Sequence, residues 1–141
     1  GSTLHASNIT ITPINEKGNG REKATSTAKR VDKLRISFNV DENRIATNGE
    51  KVLYVCLYSP DGKPISIPAY GSGTFTTREA GEKPFTNKVA INYVQGKRSS
   101  VSFDWKQDQK FQEGDYRIEV YHNGFKIGEN IIRLKKGGLF S

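Results

Sequence analysis

The stretch "YRIEVYHNGFKIG", residues 116 to 128, decides the fold. Tyr116, Ile118, Val120 and His122 share one parity, so an extended chain places them on one face. Asn123-Gly124 follows, the residue pair that most favours a two-residue type I′ turn, because both central positions need positive φ. The stretch reads as a β-hairpin with His122 opposite Phe125, Tyr121 opposite Lys126 and Val120 opposite Ile127. Further out the pattern breaks. Ile132 and Leu134 are apolar at even positions, whereas Phe125 and Ile127 are apolar at odd ones, so the returning strand must change parity to face one core. A bulge at Gly128-Glu129-Asn130 is expected to do this, since a bulge inserts one unpaired residue and glycine tolerates the geometry.

Strand signals extend outward from this hairpin with turn residues between them, and no segment shows a 3.6-residue period. In "VDKLRISFNV" (31–40), Leu34, Ile36, Phe38 and Val40 alternate with polar residues, as in a half-buried strand. "KVLYVCLY" (51–58) is apolar on both faces, as expected of a central strand. The turn residues of "SPDGK" follow it, so a hairpin partner is expected near Ile65. "FTNKVAINYV" places Phe85, Asn87, Val89, Ile91 and Tyr93 on one face, and "SVSFDW" does the same for Val101, Phe103 and Trp105. "NITITPI" is a first strand that Pro13 pushes to a sheet edge. These signals predict an all-β fold, an antiparallel immunoglobulin-like β-sandwich of seven or eight strands, with a partly closed barrel as the alternative. The paired immunoglobulin cysteines are missing, and Trp105 is placed by analogy as the core tryptophan.

The chain has 141 residues, about one domain, with 22 Lys+Arg against 15 Asp+Glu and a formal charge of +7. That excess favours acidic partners. Gly1-Ser2 reads as a cloning remnant, residues 1–7 as a disordered terminus and 8–141 as one domain, the whole being a fragment of something longer. Cys56 is the only cysteine. It excludes an internal disulfide, and its apolar flanks predict a buried, inert thiol. No run approaches the ~20 apolar residues that span a bilayer, so no membrane insertion by these residues is expected.

Residues 15–30, "NEKGNGREKATSTAKR", are polar and without apolar periodicity, and predict a long mobile loop. Its Lys17, Arg21, Lys23, Lys29 and Arg30 are the candidate partner-binding residues. No catalytic, cofactor or metal site is expected. His5 and His122 are the only histidines, too few and too far apart for a triad or a zinc site. Asp104, Asp108, Glu113 and Asp115 read as solvated strand and turn residues. The glycines of residues 124–128 and of "YGSGTF" (70–75) lack the signatures GxxxxGK[ST] and GxGxxG, so phosphate cradling is not expected. Tyr54, Tyr58, Tyr70, Phe75 and Tyr121 could form a sugar-stacking platform, but at strand positions such rings are more often packed. "KATSTAKRVDKLR" and "RLKK" are the basic stretches a nucleic acid would use, and weak, sequence-independent association is expected there.

At "AKRVDKLRISFNVDENRIA", "VSFDWKQ", "GDYRIEVYHNGFKIG" and the terminal "LKKGGLF", the chain resembles the C-terminal β-domain of a group of uncharacterised bacterial envelope proteins. In these a membrane anchor and a coiled coil precede the domain, and some are labelled chromosome-segregation or partitioning proteins. The resemblance covers roughly residues 8 to 140. It implies an extracytoplasmic (periplasmic), non-enzymatic protein-interaction or scaffolding module on a stalk. A polysaccharide- or nucleic-acid-binding domain using the basic surface is the alternative.

Overall fold

In the computed structural model, which describes residues 3–138, the period-two patterning becomes ten strands: β1 (Ala6–Glu16), β2 (Glu22–Ala24), β3 (Lys33–Val40), β4 (Gly49–Tyr58), β5 (Gly73–Thr77), β6 (Gly81–Phe85), β7 (Asn87–Tyr93), β8 (Ser99–Trp105), β9 (Gly114–His122) and β10 (Phe125–Leu134). They form two four-stranded antiparallel sheets, β2-β1-β3-β8 and β10-β9-β4-β7, and a separate β5-β6 hairpin. In immunoglobulin terms β1, β3 and β8 take the places of strands A, B and E, and β4, β9 and β10 those of C, F and G. The sandwich is therefore as read from the sequence, with more strands than the seven or eight expected. The partner expected near Ile65 is only an isolated bridge, Tyr58 to Pro64, whereas β2, β5 and β6 are additional.

Alternation accounts for the core. Leu34, Ile36, Phe38 and Val40 of β3 face inward against Leu53, Val55 and Leu57 of β4 and Ile118 and Val120 of β9, all at most 2% exposed. Trp105 is equally buried, but on β8 in the place of strand E, whereas the immunoglobulin core tryptophan sits on strand C. Tyr116, at the start of β9, is 1% exposed and its hydroxyl accepts the Gln112 N–H at 2.8 Å. This is the geometry of the tyrosine corner that fixes the E–F connection in immunoglobulin folds.

Two boundaries differ from the sequence reading. Leu4 is buried and β1 starts at Ala6, so the ordered domain begins before residue 8. Within 15–30, β1 runs on to Glu16, β2 pairs back onto it, and a 3-10 turn at Ala28–Arg30 buries Ala28. The segment expected to be a loop is therefore a short hairpin held by backbone pairing, which a search for apolar side chains could not detect. Pro13 receives the Thr25 N–H on its carbonyl at 3.0 Å, and antiparallel geometry then points its ring nitrogen away from β3.

The parity change is present. Lys126 pairs with Tyr121 and Gly128 with Val120, leaving Ile127 as the extra residue, one position before the expected bulge. Ile127 and Leu134 both become buried as a result. At Gly128 the strand passes so close to β1 that an added Cβ would lie 2.6 Å from Ile9 Cδ1 and 3.1 Å from the Ala6 carbonyl oxygen. β1 has its own irregularity there, between Ser7 and Thr10, with Asn8 at φ 51. Asn130 Nδ2 donates to the Ile9 carbonyl at 2.6 Å, so one side of the sandwich is sewn shut. Gly128→Ala is expected to destabilise the fold by about 1–3 kcal/mol, the usual cost of forcing a close-packed backbone apart. Gly18→Ala, where nothing lies within 4 Å, is the matched control in thermal denaturation.

The β5-β6 hairpin lies over the outer face of the second sheet and buries a small second core of Cys56, Tyr58, Phe75, Phe85 and Tyr121. Tyr54 and Phe75 stack with centroids 4.6 Å apart. Burial pushes the Cys56 thiol up to about 12. The same layer encloses Glu119, 4% exposed, which accepts hydrogen bonds from Lys83 Nζ at 3.1 Å and the Tyr121 hydroxyl at 3.0 Å. Burial alone would raise the Glu119 carboxyl, but these donors outweigh it and hold the group below the ordinary carboxylate range. Lys83→Met removes the nearest cation from a buried carboxylate, leaving only Arg117 and Lys126, each at 3.8 Å, and is expected to cost about 2–4 kcal/mol in denaturant unfolding. Adding Glu119→Gln to that variant should recover most of the loss; no recovery would mean Lys83 acts through packing.

Candidate functional site at the basic end

Two arrangements of charge sit side by side on the first sheet. On its outer face Lys33, Arg35 and Lys106 are interleaved with Glu16, Glu22 and Asp104. Lys33 Nζ lies 2.6 Å from Glu22, 3.0 Å from Asp104 and 3.3 Å from Glu16. Arg35 makes a two-nitrogen contact to Asp104, at 2.8 and 3.0 Å, and another to Glu22, at 2.9 and 3.2 Å. Hydrogen bonds from Arg35 and then Lys33 pull the Glu22 carboxyl down to about 2. A carboxylate lowered on folding stabilises the fold above its ordinary pKa, and that contribution disappears as pH falls through the folded value. The melting temperature of the wild type is thus expected to fall between pH 4.5 and 2 more steeply than that of Glu22→Gln. Parallel pH profiles would show that Glu22 contributes nothing.

Beyond the ladder, at the end of the sandwich where β1 meets β2, the cations make no ion pair among the described residues. Lys17, Lys23 and Arg30 line one cleft of about 220 Å³ together with Asn15, Thr25 and Thr27. The β1-β2 turn and the Ala28–Arg30 turn bring them together, the latter closed by the Arg30 N–H on the Thr27 carbonyl at 3.0 Å. Asn15 ties the two by donating to the Arg30 carbonyl at 2.7 Å. Arg21 stands at the hairpin tip, where its carbonyl accepts the Lys17 N–H. Lys29 lies outside the cleft and reaches the Gly138 carbonyl at 3.4 Å. Among the described residues the side chains of Lys17, Arg21, Lys23 and Arg30 make no ion pair, and all four are exposed. The bland explanation is edge protection, since lysines on a short edge strand discourage sheet-to-sheet pairing. That explains Lys23; it does not explain Lys17 and Arg30 converging on it from two separate turns.

The other candidates are dispersed. Asp104 belongs to the ladder, Asp108 accepts the Tyr70 hydroxyl at 2.7 Å, and Asp115 pairs with Arg133 at 3.2 Å. His5 pairs with Asp41 at 3.0 Å on an exposed strand end. His122 is half-buried, and burial lowers its pKa, with Lys51 adding to the effect. Among the described residues no three His, Cys, Asp or Glu side chains are grouped to hold a metal ion. Of the candidate stacking rings, Tyr54, Tyr58, Phe75 and Tyr121 are packed in the second core, and Tyr70 alone stays well exposed, at 41%. No helix of the described residues is long and apolar enough to cross a membrane.

The chain belongs to the domain family described as a domain of unknown function (DUF8428), which matches residues 7–135. No curated protein matches it. Among solved structures it is similar to the Pseudomonas fluorescens alkylpurine DNA glycosylase AlkC bound to DNA containing an abasic site analog, with a TM-score of 0.52 and 13% identity over 96% of this chain and 31% of that one. It is also similar to the β-glucosidase of Kluyveromyces marxianus, with a TM-score of 0.53 and 14% identity over 96% of this chain and 15% of the enzyme. In complex with glucose that enzyme gives 0.52 and 15% over 96% and 14%. At such identities the likeness is one of fold. This chain spans less than a third of the length of each protein.

Proposed function

We propose that this chain is a non-enzymatic protein-interaction or scaffolding module of a longer cell-envelope protein, and that it engages its partner through the basic end. The observation that carries this reading is the contrast within one sheet. Cations on its outer face are neutralised by carboxylates, while those at its end are exposed and make no ion pair among the described residues. Charges held in a cleft by fixed turns raise the local potential toward acidic groups without further ordering. The sandwich supplies the rigid support, and loops at the end of such a sandwich are where binding residues collect. That similar sandwiches form a small part of much larger chains supports a module within a longer protein. The envelope location rests on the resemblance of the strand and turn motifs.

Replacing Lys17, Arg21, Lys23, Lys29 and Arg30 with serine is the test. The melting temperature should stay within a few degrees, because exposed substitutions usually change stability by about 0.5 kcal/mol or less each. Capture of the partner from envelope extracts should weaken. Undiminished capture would place the binding surface elsewhere, and a large loss of stability would make these residues packing elements.

A further inference from the structure

The two basic stretches of the sequence meet in space. Thr27 forms a parallel bridge with Lys135, the Ala28 N–H donates to the Lys135 carbonyl at 2.9 Å, and the Lys135 N–H donates to the Ser26 carbonyl at 2.7 Å. These bonds fix Lys135 and Lys136 beside Lys29 and Arg30, although more than a hundred residues of chain separate them. Both lysines are exposed and, among the described residues, neither makes an ion pair. The acidic groups nearby are engaged: Glu16 and Glu22 in the ladder, Asp32 by Asn15 Nδ2 at 3.2 Å and the Glu16 N–H at 2.6 Å, and Asp115 by Arg133. Glu113, just before β9, is the exception among the described residues, one exposed carboxylate against seven cations.

We infer that Lys135 and Lys136 complete a seven-cation surface with the five residues of the proposed site, and that this surface takes an acidic, Asp/Glu-rich segment of a protein partner. The inference rests on the reading given above and names its partner. Charge complementarity gives the class. The cleft residues include no aromatic ring, so there is no platform on which nucleic-acid bases could stack.

The probe is a fluorescein-labelled oligoglutamate of about ten residues, able to span up to about 35 Å when extended. Its binding is read by fluorescence anisotropy at low and moderate salt. Lys135→Ser/Lys136→Ser should weaken binding about fivefold, in line with two modest surface charge contacts. Lys97→Ser/Arg98→Ser removes the same charge at the opposite end and should leave binding unchanged. Both variants should keep the wild-type melting temperature. Equal weakening by the two pairs would reduce the effect to net charge and overturn the inference. If Lys17→Ser/Lys23→Ser/Arg30→Ser abolishes binding while the Lys135/Lys136 variant binds as wild type, the seven-cation surface is wrong and the proposed function stands; if neither variant loses binding, both are wrong. Tighter binding of a single-stranded oligonucleotide of equal charge, or of vesicles containing anionic phospholipid, than of oligoglutamate would overturn the partner class.

Discussion

The fold depends on one close approach, that of Gly128 to Ala6 and Ile9. Two sheets stacked face to face leave open edges, and an open edge is a template for pairing with other chains. Here the bulge at Ile127 turns β10 toward β1, and the missing side chain at Gly128 lets the backbones meet. The Asn130 amide then closes the seam on the Ile9 carbonyl. Beneath this seam lie Ile9, Ile11 and Ile127, so it shields an apolar layer as well as an edge. β1 and β10 nonetheless stay in separate sheets with no ladder between them, so the fold is the sandwich and not the partly closed barrel weighed as its alternative.

Polar residues of the same strands divide by what surrounds them. Lys33 stands between three carboxylates and keeps only 12% of its side chain in solvent. Lys17 and Lys23, earlier in the chain, pair with none among the described residues. Surface ion pairs are individually worth little, and interleaved ladders are worth more because each cation serves several anions. The consequence for recognition matters as much as the stability. A ladder that consumes the acidic residues of one face leaves the positive potential of the end uncompensated.

What could be read from the sequence follows from periodicity. β3, β4, β8 and the β9-β10 hairpin carry alternation or continuous apolar runs, and the mismatch between Ile127 and Leu134 alone was enough to require a bulge. The β2 hairpin carries neither signal; its pairing is between backbones, and its side chains are Glu22, Lys23 and Ala24. The β5-β6 layer was hidden for another reason. Tyr54, Cys56 and Tyr58 point to the outer face of β4, and the sequence marks that face as apolar without saying that a hairpin from residues 73–85 covers it. For the candidate site, the five cations were legible as a basic segment. Their convergence with Lys135 depends on the bridge to Thr27, a contact between distant residues with no local sequence signature.

The seam between β1 and β10 also has a mechanical meaning. Gly128 and Asn130 meet Ala6 and Ile9, while Lys135 meets Thr27 beyond the far end of β1, so the first and last strands run in the same direction along each other. Tension applied between the two ends of the chain would drag these strands lengthwise past one another. Every contact along the seam would then have to yield together, where a pair of strands pulled apart from one end opens a bond at a time. A domain strung this way resists extension best along the axis on which its neighbours in a longer chain would pull.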